Sequence, residues 1–238
     1  MTTKDESEHM INKITIGKAT MMHLDCMEYM ATLPDKHFEL AIVDPPYGIG
    51  GDSLHTNRLT KGVGKLKNRA LTTGSTKWDV APTPEYFAEL FRVSKHQIVW
   101  GGNYFGLPRN RGFIVWDKVQ PWPNFSAAEY AWQSHDVPSK IFKFGNRTGS
   151  KIHPTQKPIK LYEWLLTNYA KTGDKILDTH GGSFSSAIAC NNLGFEFHGC
   201  ELDANYFNEA VLRVTKANNQ VSLFEASPVA KPKQEALL

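Results

Sequence analysis

The chain has 238 residues, 41% of them apolar and 21% charged, so it is long enough to bury a core and too apolar to stay disordered. No apolar run approaches the length of a membrane span, and the N-terminal stretch MTTKDESEHM lacks the apolar centre of a signal peptide. A net charge of +3 permits a nucleic-acid partner without arguing for one; Cys26, Cys190 and Cys200 have no metal-ligand spacing and read as reduced thiols of a cytosolic protein.

In chain order, residues 1–10 read as a disordered tail. KITIGKA (13–19) alternates and predicts one short strand; DCMEYMATLPD predicts a short helix stopped by Pro34. FELAIV (38–43) is a buried strand, and the segment 51–77 has no period and reads as a long loop. PTPEYFAELFRVS predicts a helix with Thr83 as N-cap and Pro84 at its first position. HQIVWGG, GFIVWDK, AAEYAWQS and SKIFKF are four strand-like runs, the last three expected to pair antiparallel at one end of a sheet. IKLYEWLLTNYAKTG predicts an amphipathic helix closed by Gly173. DKILD, SFSSAIACNNLG, FEFHGCELD and NYFNEAVLRVTKAN then alternate strand and helix. That alternation implies a doubly wound, mostly parallel α/β sheet with an antiparallel strand at one edge and helices on both faces. One domain is expected over 11–217, with a polar, flexible tail over 218–238. Its catalytic half would span 11–150 and its cofactor half 151–217.

Ligands of open α/β sheets bind outside the carboxyl ends of the strands. Three predicted strands end there in acids: Asp44, Asp178 and Glu201. Asp178 runs into THGGSFSS, a turn of small residues entering a helix, where a ligand can approach the backbone. Glu201 ends the next strand, where nucleoside-binding folds place an acid for ribose hydroxyls. A plain tight turn followed by a solvent-facing acid would read the same way.

The tip DPPY (44–47) narrows the choice. Pro45 and Pro46 fix φ and bring no N–H of their own, so nearby carbonyls can serve as free acceptors. Asp44 adds a carboxylate acceptor and Tyr47 a ring that can stack. Acceptors beside a stacking face suit a planar ring with an exocyclic amino group, whose delocalised lone pair must be freed before it can attack. A structural Asp-Pro turn is the plain alternative.

DPPY at 44–47, HPTQKP at 153–158, ILDTHGGSFSS at 176–186 and GCELD at 199–203 together resemble the amino-group DNA methyltransferases that use S-adenosylmethionine. The catalytic motif precedes the cofactor motif, as in the β-class arrangement, and the resemblance spans roughly residues 20–217. It implies a Rossmann-like methyltransferase fold and, since Asp at the first catalytic position resembles the adenine-N6 enzymes, transfer to adenine N6. Transfer to cytosine N4 is the nearest alternative, although the cytosine-N4 enzymes more often have Ser there. In roles carried over by resemblance, Asp44 and the Pro45 carbonyl hold the target amine, Pro46 stiffens the tip, and Tyr47 stacks on a base flipped out of double-stranded DNA. Asp25 matches the position that recognises the cofactor adenine. Asp178, His180, Gly181, Gly182 and Ser183 line the methionine end, Glu201 beside Leu202 holds the ribose, and Thr155, Gln156, Lys157 and Pro158 close over the methionine portion. Lys157 or a nearby hydroxyl would meet the cofactor carboxylate. The implied chemistry needs no metal.

The family turn runs roughly D-P-F-A-G-S-G; here Thr179, His180 and Phe184 replace its Pro, Phe and final Gly. A DTH version of the turn resembles phage and prophage members. The departure motivates a rival reading, a DNA-binding relative with impaired catalysis; an RNA base or a protein amide as substrate is another. Residues 54–77 hold Arg58, Lys61, Lys65, Lys67, Arg69 and Lys77 and no acid, which suits phosphate contact, although charge runs often only face water. Lys143 and Arg147 lie in a second basic segment, 140–151, where the family often places target recognition. Trp122 reads as a loop-packing residue, with stacking on DNA as the alternative. The resemblance allows a homodimer and a restriction-modification role. Gln220–Phe224, QVSLF, resembles the peptide that docks on the replication sliding clamp; packing of Leu223 and Phe224 onto the domain is an equal reading.

Overall fold

The computed structural model describes residues 12–49, 79–120, 126–145, 151–153 and 155–225. The expected DNA contacts Arg58, Lys61, Lys65, Lys67, Arg69, Lys77 and Arg147, and also Trp122, lie outside the described residues.

Strands β1 (Asn12–Ile16) and β2 (Ala19–His23) form an antiparallel hairpin. KITIGKA is thus no single strand: Gly17 sits at φ +60°, a conformation that turns the chain rather than extending it. There follow α1 (Cys26–Ala31), β3 (Phe38–Val43), α2 (Pro84–Val93), β4 (Ser94–Trp100), β5 (Phe113–Asp117), β6 (Ala128–Gln133) and β7 (Lys140–Lys143). The chain closes with α3 (Ile159–Tyr169), β8 (Lys175–Asp178), α4 (Ser185–Leu193), β9 (Glu196–Glu201) and α5 (Ala204–Glu225). Helix α3 ends at Tyr169 with Ala170 as its cap, so Gly173 (φ +93°) belongs to the following turn and does not close the helix. Helix α5 continues past residue 217 and takes the backbone of 220–224 into its last turns.

The nine strands form one sheet in the order β1-β2-β9-β8-β3-β4-β6-β5-β7. Strand β1 is the reversed edge. A second reversed strand, β6, lies inside the sheet, antiparallel to both β4 and β5, whereas β5 and β7 pair parallel. The expected antiparallel trio is corrected accordingly. To reach the far side of β5, the link after β6 crosses over Gly112, where a Cβ would stand 2.4 Å from the Val137 carbonyl oxygen.

Alternate residues of the central strands feed two cores. Leu40, Ile42, Ile98, Trp100 and Ile176 pack beneath α3, α4 and α5. Ala41, Val43, Val99 and Leu177 pack with Met30 of α1 and Tyr86 and Leu90 of α2. A strand covered on both faces reads as a continuous apolar run, as β3 does from Leu40 to Val43. From β3 the chain winds one way to β4, and from β8 the other way to β9. The boundary between β3 and β8 is therefore the topological switch point, outside whose carboxyl ends open α/β sheets place their ligands.

Candidate active site

Strand order sets the site. At the carboxyl pole the tips fall in the spatial order Asp25, Glu201, Asp178, Asp44 and Gly101, contributed by β2, β9, β8, β3 and β4. Neighbouring strands lie about 4.8 Å apart, so residues distant in sequence become one row. Asp44 and Asp178 flank the switch point itself.

Asp44 is held on both oxygens. The Tyr47 hydroxyl donates to Oδ1 at 2.8 Å, and the Lys157 ammonium donates to Oδ2. Lys157 is 3% exposed and also meets Glu129 Oε2 at 3.2 Å; Glu129 in turn meets Lys118 at 2.6 Å. The Lys157 ammonium lies 5.2 Å from the centre of the Trp100 ring. Burial opposes the charge on Lys157, but the two carboxylates outweigh it and hold the ammonium protonated. Burial likewise pushes the Asp44 carboxyl up; Lys157 offsets this, while Glu129 adds to it. Of the pair, Lys157 keeps its charge firmly and Asp44 is the weakened acid, because the ammonium faces two opposite charges and Asp44 only one. Burial also works against Glu129, yet Lys157 and Lys118 hold its carboxyl below the usual range.

The Tyr47 ring rests on the backbone of Gly101, where a Cβ would come within 2.2 Å of its Cε1. Tyr104 stacks on it at 5.0 Å between ring centres and 23° between planes, and Phe105 meets its edge. Tyr104 is 49% exposed, so an aromatic platform runs outward from the tip. Pro45 is buried beneath it and Pro46 partly so. Asp79 accepts from the Gly48 N–H at 2.8 Å, closing the chain across the segment between them.

The second half of the row is built on the turn after β8. Asp178 is 1% exposed; its Oδ1 accepts from the His180 N–H and its Oδ2 from the Ser186 hydroxyl, and burial pushes its carboxyl up to about 7. The Gly182 N–H donates to Glu201 Oε2 at 2.7 Å, and the Asp203 N–H to Oε1 at 2.8 Å. Burial raises the Glu201 carboxyl against these two bonds. Thr179 joins the Tyr86 hydroxyl of α2 at 2.6 Å and His180 Nδ1 at 2.9 Å. Burial lowers His180 to about 4, so its ring is neutral near pH 7. Ser183 is buried against Ser185, and Arg213 of α5 donates to the Ser183 carbonyl at 2.6 Å and to Ser185 Oγ at 3.2 Å.

Phe184 explains the altered turn. It takes the helix N-cap position at φ +50° and its side chain is fully buried. A Cβ on Gly181 would fall 2.4 Å from Phe184 Cζ, and one on Gly199 2.7 Å from its Cε1. The family turn has Ala where Gly181 stands and Gly where Phe184 stands. The bulk has moved from one side of the turn to the other, into the core.

Other expected residues fall around this row. Asp25 is the N-cap of α1, accepting from the Met27 N–H at 2.7 Å. The Thr155 hydroxyl pairs with His153 Nδ1, and the His153 ring packs on Tyr206 at 4.4 Å. Gln156 is buried and accepts from the Ile152 N–H; Pro158 caps α3. Leu202 is 70% exposed at the rim. Lys143 is exposed at the end of β7, the outermost strand. Lys157 is placed on Asp44 and Glu129, a partner that sequence reasoning did not assign to it. Glu129, Trp100, Tyr104, Tyr86 and Arg213 were missed as well. The one available signal was an acid, Glu129, inside the otherwise apolar strand AAEYAW.

Residues 115–212 match the family model of the N6/N4 type described as DNA methylase, a match that begins beyond the DPPY tip. Type II methyltransferase M1.MboII of Moraxella bovis is 22% identical over 243 residues, covering 79% of this chain and 93% of that protein. Type II methyltransferase M.HinfI of Haemophilus influenzae is 24% identical over 266 residues, covering 86% and 71%. The family match and these relatives support an amino-group DNA methyltransferase. Among solved structures, the M1.HpyAVI–SAM complex superposes with a TM-score of 0.53 at 20% identity, covering 82% of this chain and 99% of that one. The cytosine-N4-specific PvuII DNA methyltransferase does so with 0.55 at 13%, covering 85% and 92%. At these identities the structures speak for the methyltransferase fold alone. In that fold, the acids at 25, 178 and 201 stand on one side of the switch point and the DPPY tip on the other. No helix among the described residues is long and apolar enough to cross a membrane.

Proposed function

We propose that the protein transfers a methyl group from S-adenosylmethionine to the exocyclic N6 of an adenine flipped out of double-stranded DNA. The observation that carries this is Asp44: a partly buried acceptor at the switch point, beside an aromatic platform and one strand away from the glycine turn after Asp178. The crevice chemistry fits the cofactor. Glu201 and Asp25 are acceptors suited to ribose hydroxyls and an adenine amine, and Gly182 lets a ligand approach the turn closely. Support for the cofactor also comes from M1.HpyAVI, whose crystal structure is a complex with SAM.

The cofactor supplies a methyl on a sulfonium, which departs as a neutral thioether when the nitrogen–carbon bond forms. The protein's task is alignment and electrostatics. Asp44 accepts from the amine N–H, drawing the lone pair out of the ring plane and toward attack. Tyr47 and Tyr104 hold the base plane, and the nitrogen sheds one proton after transfer. Adenine is favoured over cytosine by the carboxylate at position 44. DNA as the substrate is supported by the six basic residues that follow the tip in sequence.

Modification-aware sequencing of DNA from cells expressing the protein tests this. N6-methyladenine in one short sequence context is expected. N4-methylcytosine would overturn the choice of base, and unmodified DNA would overturn the reaction. Asp44→Ala is expected to lower methyl transfer by about 10²–10³-fold or more while cofactor binding survives, the size of effect seen when a preorganised polar partner of the transition state is removed.

A further inference from the structure

The Asp44 carboxylate is one end of a chain of alternating charge: Asp44, Lys157, Glu129 and Lys118. It is assembled from four places, the β3 tip, the stretch before α3, strand β6 and the end of β5. A lysine 3% exposed, tied to two carboxylates and seated over Trp100, has no room for a merely solvating role. An acceptor for an amine must also be ionised, since a protonated carboxyl presents a hydrogen where the amine needs a lone pair.

We propose that Lys157 is a positioning residue that keeps Asp44 ionised and aimed at the target amine, with Glu129 holding Lys157 in place. This rests on the methyltransferase reading above. Each carboxylate oxygen has two acceptor directions. Lys157 takes one on Oδ2 and Tyr47 one on Oδ1, so one direction on each remains for substrate. The groups that face Asp44 are Lys157, Glu129 and Tyr47, with Asp178 and Tyr162 in the surrounding field. Lys157 is the single cation among them. Glu129 acts in two opposed ways, fixing Lys157 mechanically while repelling the charge on Asp44.

Those opposed signs make the test specific. The single-turnover rate of methyl transfer is measured against pH for the wild type, Lys157→Met, Lys157→Arg and Glu129→Gln, with cofactor affinity measured separately by calorimetry. Loss of Lys157 removes an opposite charge, so the acid limb of Lys157→Met is expected to move up by about one to three pH units. Lys157→Arg is expected to return it most of the way. Glu129→Gln removes a like charge, so its acid limb should move down even as the plateau rate falls. Cofactor affinity should change little in all three. A lowered plateau with an unmoved limb in both Lys157→Met and Glu129→Gln would mean a structural role and overturn the proposal. So would a large loss of cofactor affinity in Lys157→Met with an unmoved limb, which would make Lys157 a partner of the cofactor carboxylate. If Lys157→Met does not fold, the direction of the limb in the near-isosteric Glu129→Gln decides. A wild type that binds cofactor and methylates no DNA is a separate outcome, and it sinks the substrate reading instead; carboxyl titration of Asp44 by ¹³C NMR, compared with Asp44→Asn, then reads the same shifts without turnover.

Discussion

At the scale of single residues, the turn after β8 shows how a departure from a family pattern is absorbed. Phe184 could replace a glycine only if its ring had somewhere to go, and it goes where the family's Ala side chain would stand. Gly181 and Phe184 are thus one change rather than two. Gly181→Ala alone forces its methyl against the Phe184 ring, and overpacking of this kind costs about 1–3 kcal/mol. In a Phe184→Gly background the same methyl meets open space, and the cost should largely vanish. A double-mutant cycle by urea denaturation reads this coupling, which should reach about 0.5–3 kcal/mol. Additive effects within error would show that the two positions do not share the space.

At the scale of elements, most of the sheet was legible because its strands are buried on both faces. FELAIV predicts β3 to the residue, and Thr83 with Pro84 marks the start of α2, since a fixed φ near −65° suits a first helical turn. The misses have physical causes. The hairpin at Gly17 was hidden because both of its arms alternate with the same period, leaving the glycine as the only break. Strand β6 reads as an ordinary strand, and nothing local says that β7 will pair parallel with the far edge of β5 instead of antiparallel with β6. In the site, the acids at strand tips were visible because charge at the end of an apolar run is conspicuous. Lys157–Asp44, Glu129–Lys157 and Arg213–Ser183 were not, because each joins segments 28 or more residues apart in sequence. Arg213 carries a prediction at this scale. It ties α5 to the Ser183 carbonyl before α4 and to the Ser185 hydroxyl at the start of α4, so Arg213→Ala should cost about 1.5–3 kcal/mol, the range for hydrogen bonds to a charged group. It should also weaken cofactor binding while leaving the rate at saturating cofactor nearly unchanged, because Asp44 and Tyr47 stand on other strands. An equal drop in rate with unchanged affinity would place Arg213 in the chemistry rather than in the turn.

At the scale of the whole molecule, the candidate site is stitched from β2, β9, β8 and β3, whose tip residues run from 25 to 201 in sequence. No local segment contains the site, so the unfolded chain has none. A ligand that binds only the folded state must stabilise it by RT ln(1 + [L]/Kd), about 2.7 kcal/mol at one hundred times Kd. For a chain of this length, each kcal/mol raises Tm by about 2–4 °C, so S-adenosylmethionine at that excess should raise Tm by about 5–10 °C. The shift should persist in Asp44→Ala, whose lost carboxylate serves the target amine on the proposed reading. It should shrink in Glu201→Ala, where the Gly182 and Asp203 N–H groups lose their shared acceptor and, on the proposed reading, the ribose its partner. That contrast separates binding from catalysis without any DNA present. A wild type with no shift at millimolar cofactor would mean that the turn rebuilt around Phe184 no longer admits the ligand, and would favour a DNA-binding relative that has lost the reaction.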